Sequence, residues 1–461
     1  HKRYELASFV CKDCSNICEI RQVNIEGEKP LHYGSRCGKF DDERTLKKGR
    51  HLPRLFKERK DALFNTFKKN KPDNPVGKTV GIPQVSTFYD FYPMWKAFFI
   101  ELGFDVVTSS DTNKDIVYNG VEIITAETCF PIKVAHGHVV DMLERDIDYL
   151  FLPSVINLTH VSQKLTHSYA CPYVQCIPYL VRSAVDFDDR KFKVLSPVIH
   201  FEYGEEHVNK TLRQIAKSVE RTGDIVENAI KAAHEAHQTF SKTLIARGEE
   251  ALGKLGENEK AFVLISRSYN GCDTGMNLGL PEKLRDLGVL TIPLDFLKLN
   301  IEEVANDYPN MYWKTGQRFL AAARVISRDK RLYPLYITNF GCGPDSFIMK
   351  FFNKELSGKP CLTIEIDEHS SDVGAITRCE AFIDSLKNVK PISEVKKLRD
   401  DAPLHELKER KRRTIYIPYM CDHGRMIAAS MRANDVLAEA LPMANKQSVD
   451  VGWRFTSGKE C

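Results

Sequence analysis

From Lys78 onward the chain alternates short, nearly continuous apolar runs with longer segments whose apolar positions recur every three to four residues. "KTVGIPQVS" reads as a strand, and "TFYDFYPMWKAFFIELG" as a helix with Phe91, Trp95, Phe98 and Leu102 on one face. "FDVVTSS" is the next strand. "VEIITAE" then leads into a helix at "PIKVAHGHVVDMLE", where Ile132, Ala135, Val139 and Leu143 fall in phase. "IDYLFLPSV" is apolar on both faces, as a strand inside a parallel sheet must be. Residues 205–255 are rich in Lys, Glu and Ala and predict one or two long helices bridging two sheets. The alternation then restarts: strands at "KAFVLISRS", "VLTIPLD", "LYPLYITNF" and "CLTIEID" are interleaved with helices at "GLPEKLRDLG" and "PDSFIMKFF". A third restart follows the basic residues 408–413, with the strand "TIYIPYM" and the helix "GRMIAASMRAND". Strands and helices alternating at this spacing predict an α/β fold of two or more Rossmann-like, doubly wound parallel sheets joined by long helices.

The expected organisation is a Cys-rich segment over residues 1–40 with little periodicity, then a basic helix and linker over 41–77. A first α/β domain spans 78–204, bridging helices 205–255, a second α/β domain 256–400, and a further unit 401–461. That last unit looks like the start of a repeat. Ile82 and Cys129 are 47 residues apart, Ile417 and Cys461 are 44 apart, and each stretch ends on Glu followed by Cys. The chain begins at His1 and stops at that second cysteine, which reads as a segment of something longer.

Composition narrows the chemistry. Among 461 residues, 43% are hydrophobic and 28% charged, an ordinary globular balance with room for several cores. The net charge of +4 gives no argument for nucleic acid, and no apolar run is long enough to cross a membrane. Thirteen cysteines, an odd number in a large chain, point to thiolates kept for metal in a reducing cytoplasm rather than to disulfides.

Those cysteines fall into two patterns. Cys11, Cys14 and Cys18, then Cys37, supply four thiolates from a segment too small to order itself without a clip, so a Zn or [4Fe-4S] site is expected there. The second pattern pairs cysteine with proline. Cys129 stands two residues before Pro131, Cys342 two before Pro344, and Cys171 directly before Pro172. Proline favours the first helical turn, so each sulfur is expected at a helix N-terminus, where amide groups and the helix dipole favour thiolate. Cys129 and Cys342 are expected to follow strands, and such turns open on one edge of a parallel sheet, where the three thiolates can converge. Three cysteines suit an iron–sulfur cluster with one iron left open, and buried structural cysteines are the competing reading.

Several signals are weaker. "GKT" at Gly77 has Pro72 where a phosphate-binding loop needs glycine, and it precedes a strand instead of following one. His136 and His138 read as satisfied helix histidines, with His136 the nearer to an open iron. The acidic stretch 365–374 reads as a polar strand-to-helix turn, the lysines of 41–77 as a solvated face, and Cys272, Cys361, Cys379 and Cys421 as cysteines of the core or around the cluster.

Taken in order, "GIPQVSTFYDFYPMWKAFFIELGFDVV", "ETCFPIKVAHGH", "CPYVQC", "MNLGLPEKLRDLGV", "NFGCGPDSF" and "IEIDEHSSDVGAITRCEAF" resemble the acyl-CoA dehydratase activase-related proteins. These are relatives of the 2-hydroxyacyl-CoA dehydratase, benzoyl-CoA reductase and double-cubane cluster protein superfamily. The resemblance covers nearly the whole chain, and its implications are specific. A [4Fe-4S] or double-cubane cluster would be held by Cys129, Cys171 and Cys342, with Cys176 as a further candidate. An ATP-hydrolysing, actin/hexokinase-like activator, fused or separate, would inject low-potential electrons. A second dehydratase-like half or a homodimer partner would complete the assembly. The expected role is an ATP-coupled reductase or radical dehydratase component of an anaerobe, acting on a small molecule, with an acyl-CoA among the candidates. The alternatives are a non-catalytic electron-transfer or scaffold domain, and a zinc-clipped α/β binding protein.

Overall fold

The apolar runs pair as parallel strands, and the periodic segments between them form the helices that cover them. The computed structural model describes residues 3–11, 18–27, 30–34, 49, 51–187, 190–387 and 413–455. The chain divides into two units, His1–Ile392 and Ser393–Cys461.

The first unit opens with an antiparallel three-stranded sheet, β1 (Tyr4–Val10), β2 (Glu19–Ile25) and β3 (Leu31–Tyr33). The sequence predicts no regular structure here. The hairpin forms because Tyr4 to Val10 and Glu19 to Ile25 can satisfy each other's amides, although every residue of β1 is exposed. Helix α1 (Leu55–Asn65) follows, and residues 41–48 of the basic segment lie outside the described residues.

The first parallel sheet has the order β5 (Asp105–Thr108), β4 (Thr79–Ile82), β6 (Tyr149–Phe151), β8 (Lys193–Leu195). Between its strands come α2 (Phe88–Glu101), α3 (Lys114–Ile123), α4 (Phe130–Leu143) and α5 (Pro172–Ala184). The run "IDYLFLPSV" is not one strand. It breaks at Leu152-Pro153, because proline cannot donate to a ladder. Its second half, β7 (Ser154–Asn157), pairs with β9 (Val198–His200). Residues 205–255 become two helices, α6 (Glu205–Ser218) and the 31-residue α7 (Asp224–Lys254), separated by Gly223 with φ +79°.

Next come β10 (Ala261–Ile265), the single turn α8 (Ser268–Gly271), α9 (Leu280–Asp286), β11 (Leu290–Pro293), α10 (Ile301–Asp307) and α11 (Lys314–Arg328). They are followed by β12 (Leu332–Thr338), α12 (Gly343–Glu355), β13 (Leu362–Glu365) and α13 (Asp372–Leu386). The strands form the second parallel sheet, in the order β11-β10-β12-β13. Parallel sheets flanked by helices are the arrangement of Rossmann-like folds. In both sheets the first strand has its successor on one side and a later strand on the other. That leaves a crevice outside the strand C-termini, between β4 and β6 and between β10 and β12.

One apolar core runs through both sheets: Trp95 and Phe98 of α2, Phe151 of β6, Phe240 of α7, Val263 of β10 and Tyr336 of β12 are all buried in it. A buried ion pair ties the halves. Arg59 of α1, 1% exposed, meets Asp295 just after β11 at 2.6 Å and also donates to the Tyr89 carbonyl. The second unit, by itself, is the parallel pair β14 (Ile415–Ile417) and β15 (Ala438–Ala440) with α14 (His423–Ala433) and α15 (Lys446–Phe455). Among the described residues, no helix is long and apolar enough to cross a membrane.

Candidate functional site

Three helices begin on cysteine. Cys129 is the N-cap of α4, Cys171 of α5 and Cys342 of α12, each with proline at the first or second helical position. Proline stands there because its missing N–H is one the first turn leaves unpaired in any case. Cys342 follows β12, as expected, through a turn in which Gly341 takes φ +73°. Cys129 does not follow a strand. It comes after helix α3 and a short connection, because the "VEII" run completes α3 instead of adding a strand. Cys171 follows β7, which pairs with β9.

The three sulfurs face a common neighbour. Tyr269, half-buried just beyond β10, interacts electrostatically with Cys129, Cys171 and Cys342, and the cysteines also act on one another. Beside it Arg267 donates to Cys342 Sγ at 3.2 Å and to Asp345 Oδ1 at 2.5 Å, and Thr338 Oγ1 donates to the other carboxylate oxygen at 2.7 Å. Asp345 lies in the first turn of α12, where negative charge is favoured. Asn270 and Asn339, both buried, hydrogen-bond to each other, and Asn339 also donates to the Ile366 carbonyl at 2.8 Å. The C-terminal ends of β10, β12 and β13 are thereby fixed together.

At two of the three, Cys129 and Cys342, burial opposes the expected pull of the helix N-terminus toward thiolate. Burial pushes the Cys129 thiol up to about 11, aided by Cys171 and opposed by the Ile132 amide. Burial likewise pushes Cys342 up to about 12 against the pull of Arg267. Desolvation outweighs the dipole here, so both sulfurs are protonated at neutral pH unless a stronger cation reaches them. Among the described residues, no three His, Cys, Asp or Glu side chains stand close enough to share one metal ion.

The remaining candidates divide. Cys176 is exposed on α5. Cys11 and Cys18 are both buried and close the first hairpin through a 2.8 Å bond from the Cys11 amide to the Cys18 carbonyl, whereas Cys14, Cys37 and Cys461 lie outside the described residues. His136 bonds to the Ile132 carbonyl within its own helix, and His138 is held between Ser109 and Thr112. Both are buried and satisfied. Cys379 is a core residue, Cys272 is half-buried and its charge acts on Arg59, and Cys361 is half-buried too. Cys421 is not a core residue. It is exposed in the second unit, 3.2 Å from His423 Nδ1. Within 365–374, Glu368 shares the buried Lys133 with Glu127, and Asp372 pairs with Lys283, so that stretch serves packing.

A cavity of about 420 Å³ adjoins Cys171 and opens beside the C-terminal ends of β10 and β11, with Arg267 and Tyr269 also in its wall. Arg267, Tyr269 and Asp345 were not singled out from sequence. The available signal was position: "SRSYN" is where an all-apolar strand first turns polar, at the end of the sheet that binds ligands.

Residues 79–297, from β4 to just past β11, match the family described as CoA enzyme activase uncharacterised domain (DUF2229). The match supports an acyl-CoA dehydratase activase-related protein. The matched stretch includes Cys129, Cys171, Arg267 and Tyr269 and stops short of Cys342. A dehydratase-related role fits the domain. No curated protein matches the chain.

Proposed function

We propose that this activase-related chain is an iron–sulfur redox component that receives low-potential electrons from an ATP-driven activator and passes them to a small molecule. The observation that carries this reading is the set of three cysteine N-caps whose charges act on one half-buried tyrosine, with a cavity beside Cys171. The donor set fits a cluster. Three thiols whose charges act on one another suit a polynuclear group, whose thiolates each bind a different metal. Cys129, Cys171 and Cys342 would hold it, and Cys11 and Cys18, with Cys14 and Cys37, would hold the N-terminal metal. When bound, such a cluster supplies one-electron chemistry at a potential set by its ligands, hydrogen bonds and burial. Arg267 would donate to the Cys342 thiolate and offset its charge, Asp345 would keep Arg267 in place, and Tyr269 with the apolar wall would exclude water. The activator would be an actin/hexokinase-like ATPase, fused or separate, and a second dehydratase-like half or second copy would complete the assembly.

Iron, acid-labile sulfide and zinc per chain, counted after strictly anaerobic preparation, test this. Four or so irons and sulfides per chain or more are expected, falling sharply in Cys129→Ala and Cys342→Ala. Zinc alone, with no sulfide after reconstitution, would overturn the reading.

A further inference from the structure

The cavity beside Cys171 has a polar side and an apolar side, and its charges do not balance. Arg267 is paired with Asp345, and Asp295 with Arg59. That leaves Asp90, Lys314 and Arg318. Asp90 accepts from Ser268 Oγ at 2.6 Å. The Lys314 ammonium, at the start of α11, donates among the described residues only to the Thr159 carbonyl, at 2.7 Å. Arg318, one turn further along α11, has no hydrogen-bond or ion-pair partner among the described residues. Its charge acts on Asp90, Asp295 and Cys272 from a distance. With Asp90 ionised the site still carries one uncompensated positive charge.

An unpaired guanidinium in a half-buried wall loses hydration without gaining an acceptor, which is costly unless something else occupies the space. The lining also carries hydrocarbon: Phe240 and Leu244 of α7, with Leu297 and Leu299 beyond β11. A volume of about 420 Å³ lies at the small end of the range for small-molecule pockets.

We propose that this cavity binds a small organic monocarboxylate, its carboxylate held by Arg318 and Lys314 and its hydrocarbon chain laid against Phe240, Leu244 and Leu297. Arg318 supplies the planar fork that a carboxylate matches with two parallel bonds, and Lys314 adds a point charge on the same face of α11. A thioester or alcohol of the same chain would fill the apolar wall but leave the guanidinium unmatched. The inference deepens the redox reading by naming a substrate class at its cavity, yet it rests on the charges of the wall and not on a cluster.

Isothermal titration calorimetry on the full-length chain at pH 7 is the test, with butyrate, pentanoate, hexanoate, hexan-1-ol and hexanoyl-CoA as probes. Hexanoate is expected to bind one per chain. From butyrate to hexanoate each methylene should tighten binding about fourfold, the ~0.8 kcal/mol of a buried CH₂. Hexan-1-ol should bind at least about tenfold more weakly, and Arg318→Gln should weaken hexanoate about tenfold or more while leaving hexan-1-ol unchanged. Leu244→Trp, which fills the apolar end, should abolish the gain with chain length, and thermal melts of both variants establish that they are folded. Equal affinity for hexanoate and hexan-1-ol, no effect of Arg318→Gln in a folded protein, or binding of hexanoyl-CoA without hexanoate would overturn the proposal. Metal analysis of the same samples reports on the cluster and the isotherm on the anion site, so either reading can fail without the other.

Discussion

Gly341 shows how one residue sets the candidate site. It turns the chain between β12 and Cys342 at φ +73°, and a Cβ there would meet nothing within 4 Å, so its requirement is conformational and not spatial. Gly341→Ala is therefore expected to cost about 1 kcal/mol through left-handed backbone strain alone, read as a lower urea midpoint with unchanged m-value. His237 makes a second prediction. It stacks on Phe91 with ring centroids 4.8 Å apart, its Nδ1 is buried without a partner, and burial, aided by His234, lowers its pKa from about 6.5 to about 4. The unfolded chain then binds a proton that the folded chain refuses. This contribution is full above about pH 6.5 and is lost progressively as the pH falls toward about 4, amounting to at most about 3 kcal/mol. His237→Phe should flatten that part of the stability–pH profile. An unchanged slope would show that the ring is hydrated in the folded protein.

At the scale of elements, the cysteine N-caps depend on where their helices sit. Helix α4, which begins at Cys129, crosses α3 through two glycines. A Cβ at Gly137 would meet the Ile116 carbonyl, and one at Gly120 would meet the Lys133 carbonyl. Backbone lies against backbone there, so neither side can yield by turning a side chain. Gly137→Ala is expected to destabilise by about 1–3 kcal/mol as an overpacked contact, while Gly374→Ala, on α13 with open space around it, should be neutral or slightly stabilising. Thermal melts of the two variants side by side check this. A harmless Gly137→Ala would mean that the α3–α4 crossing is looser than it stands. The proline signature beside each cysteine was legible because it is local chemistry. The element before Cys129 was not, since "VEII" satisfies strand and helix patterns equally and only packing against α4 decides for α3.

In the whole molecule, the two sheets of the first unit are held in one core and clasped by Arg59. That side chain is 1% exposed, pairs with Asp295 at 2.6 Å and donates to the Tyr89 carbonyl, so α1, α2 and the second sheet meet at one guanidinium. Arg59→Met leaves a buried carboxylate unpaired and should cost about 3 kcal/mol or more, whereas adding Asp295→Leu should recover part of the loss. A double-mutant cycle in urea tests the coupling, and strict additivity would refute it. The cavity and the cysteine set both lie where these sheets adjoin, so loosening the clasp should also weaken whatever the cavity binds.

The sequence by itself determined the alternation of strands and helices, the parallel pairing of the apolar runs, and the cysteines that start helices. Those features rest on short-range periodicity and on proline chemistry. The sequence could not pair Tyr4–Val10 with Glu19–Ile25, whose strands carry no amphipathic period, or break the 149–157 run at Pro153. The tertiary structure decided what surrounds the cysteines. It brought Arg267 and Tyr269 from β10, Asp345 from α12, and Lys314 and Arg318 from α11 to one edge. It also set the burial that raises the thiols of Cys129 and Cys342 against their helix dipoles. The physical reason is range. Helix dipoles and turn preferences act within a few residues, whereas desolvation and charge pairing depend on what the rest of the chain packs alongside.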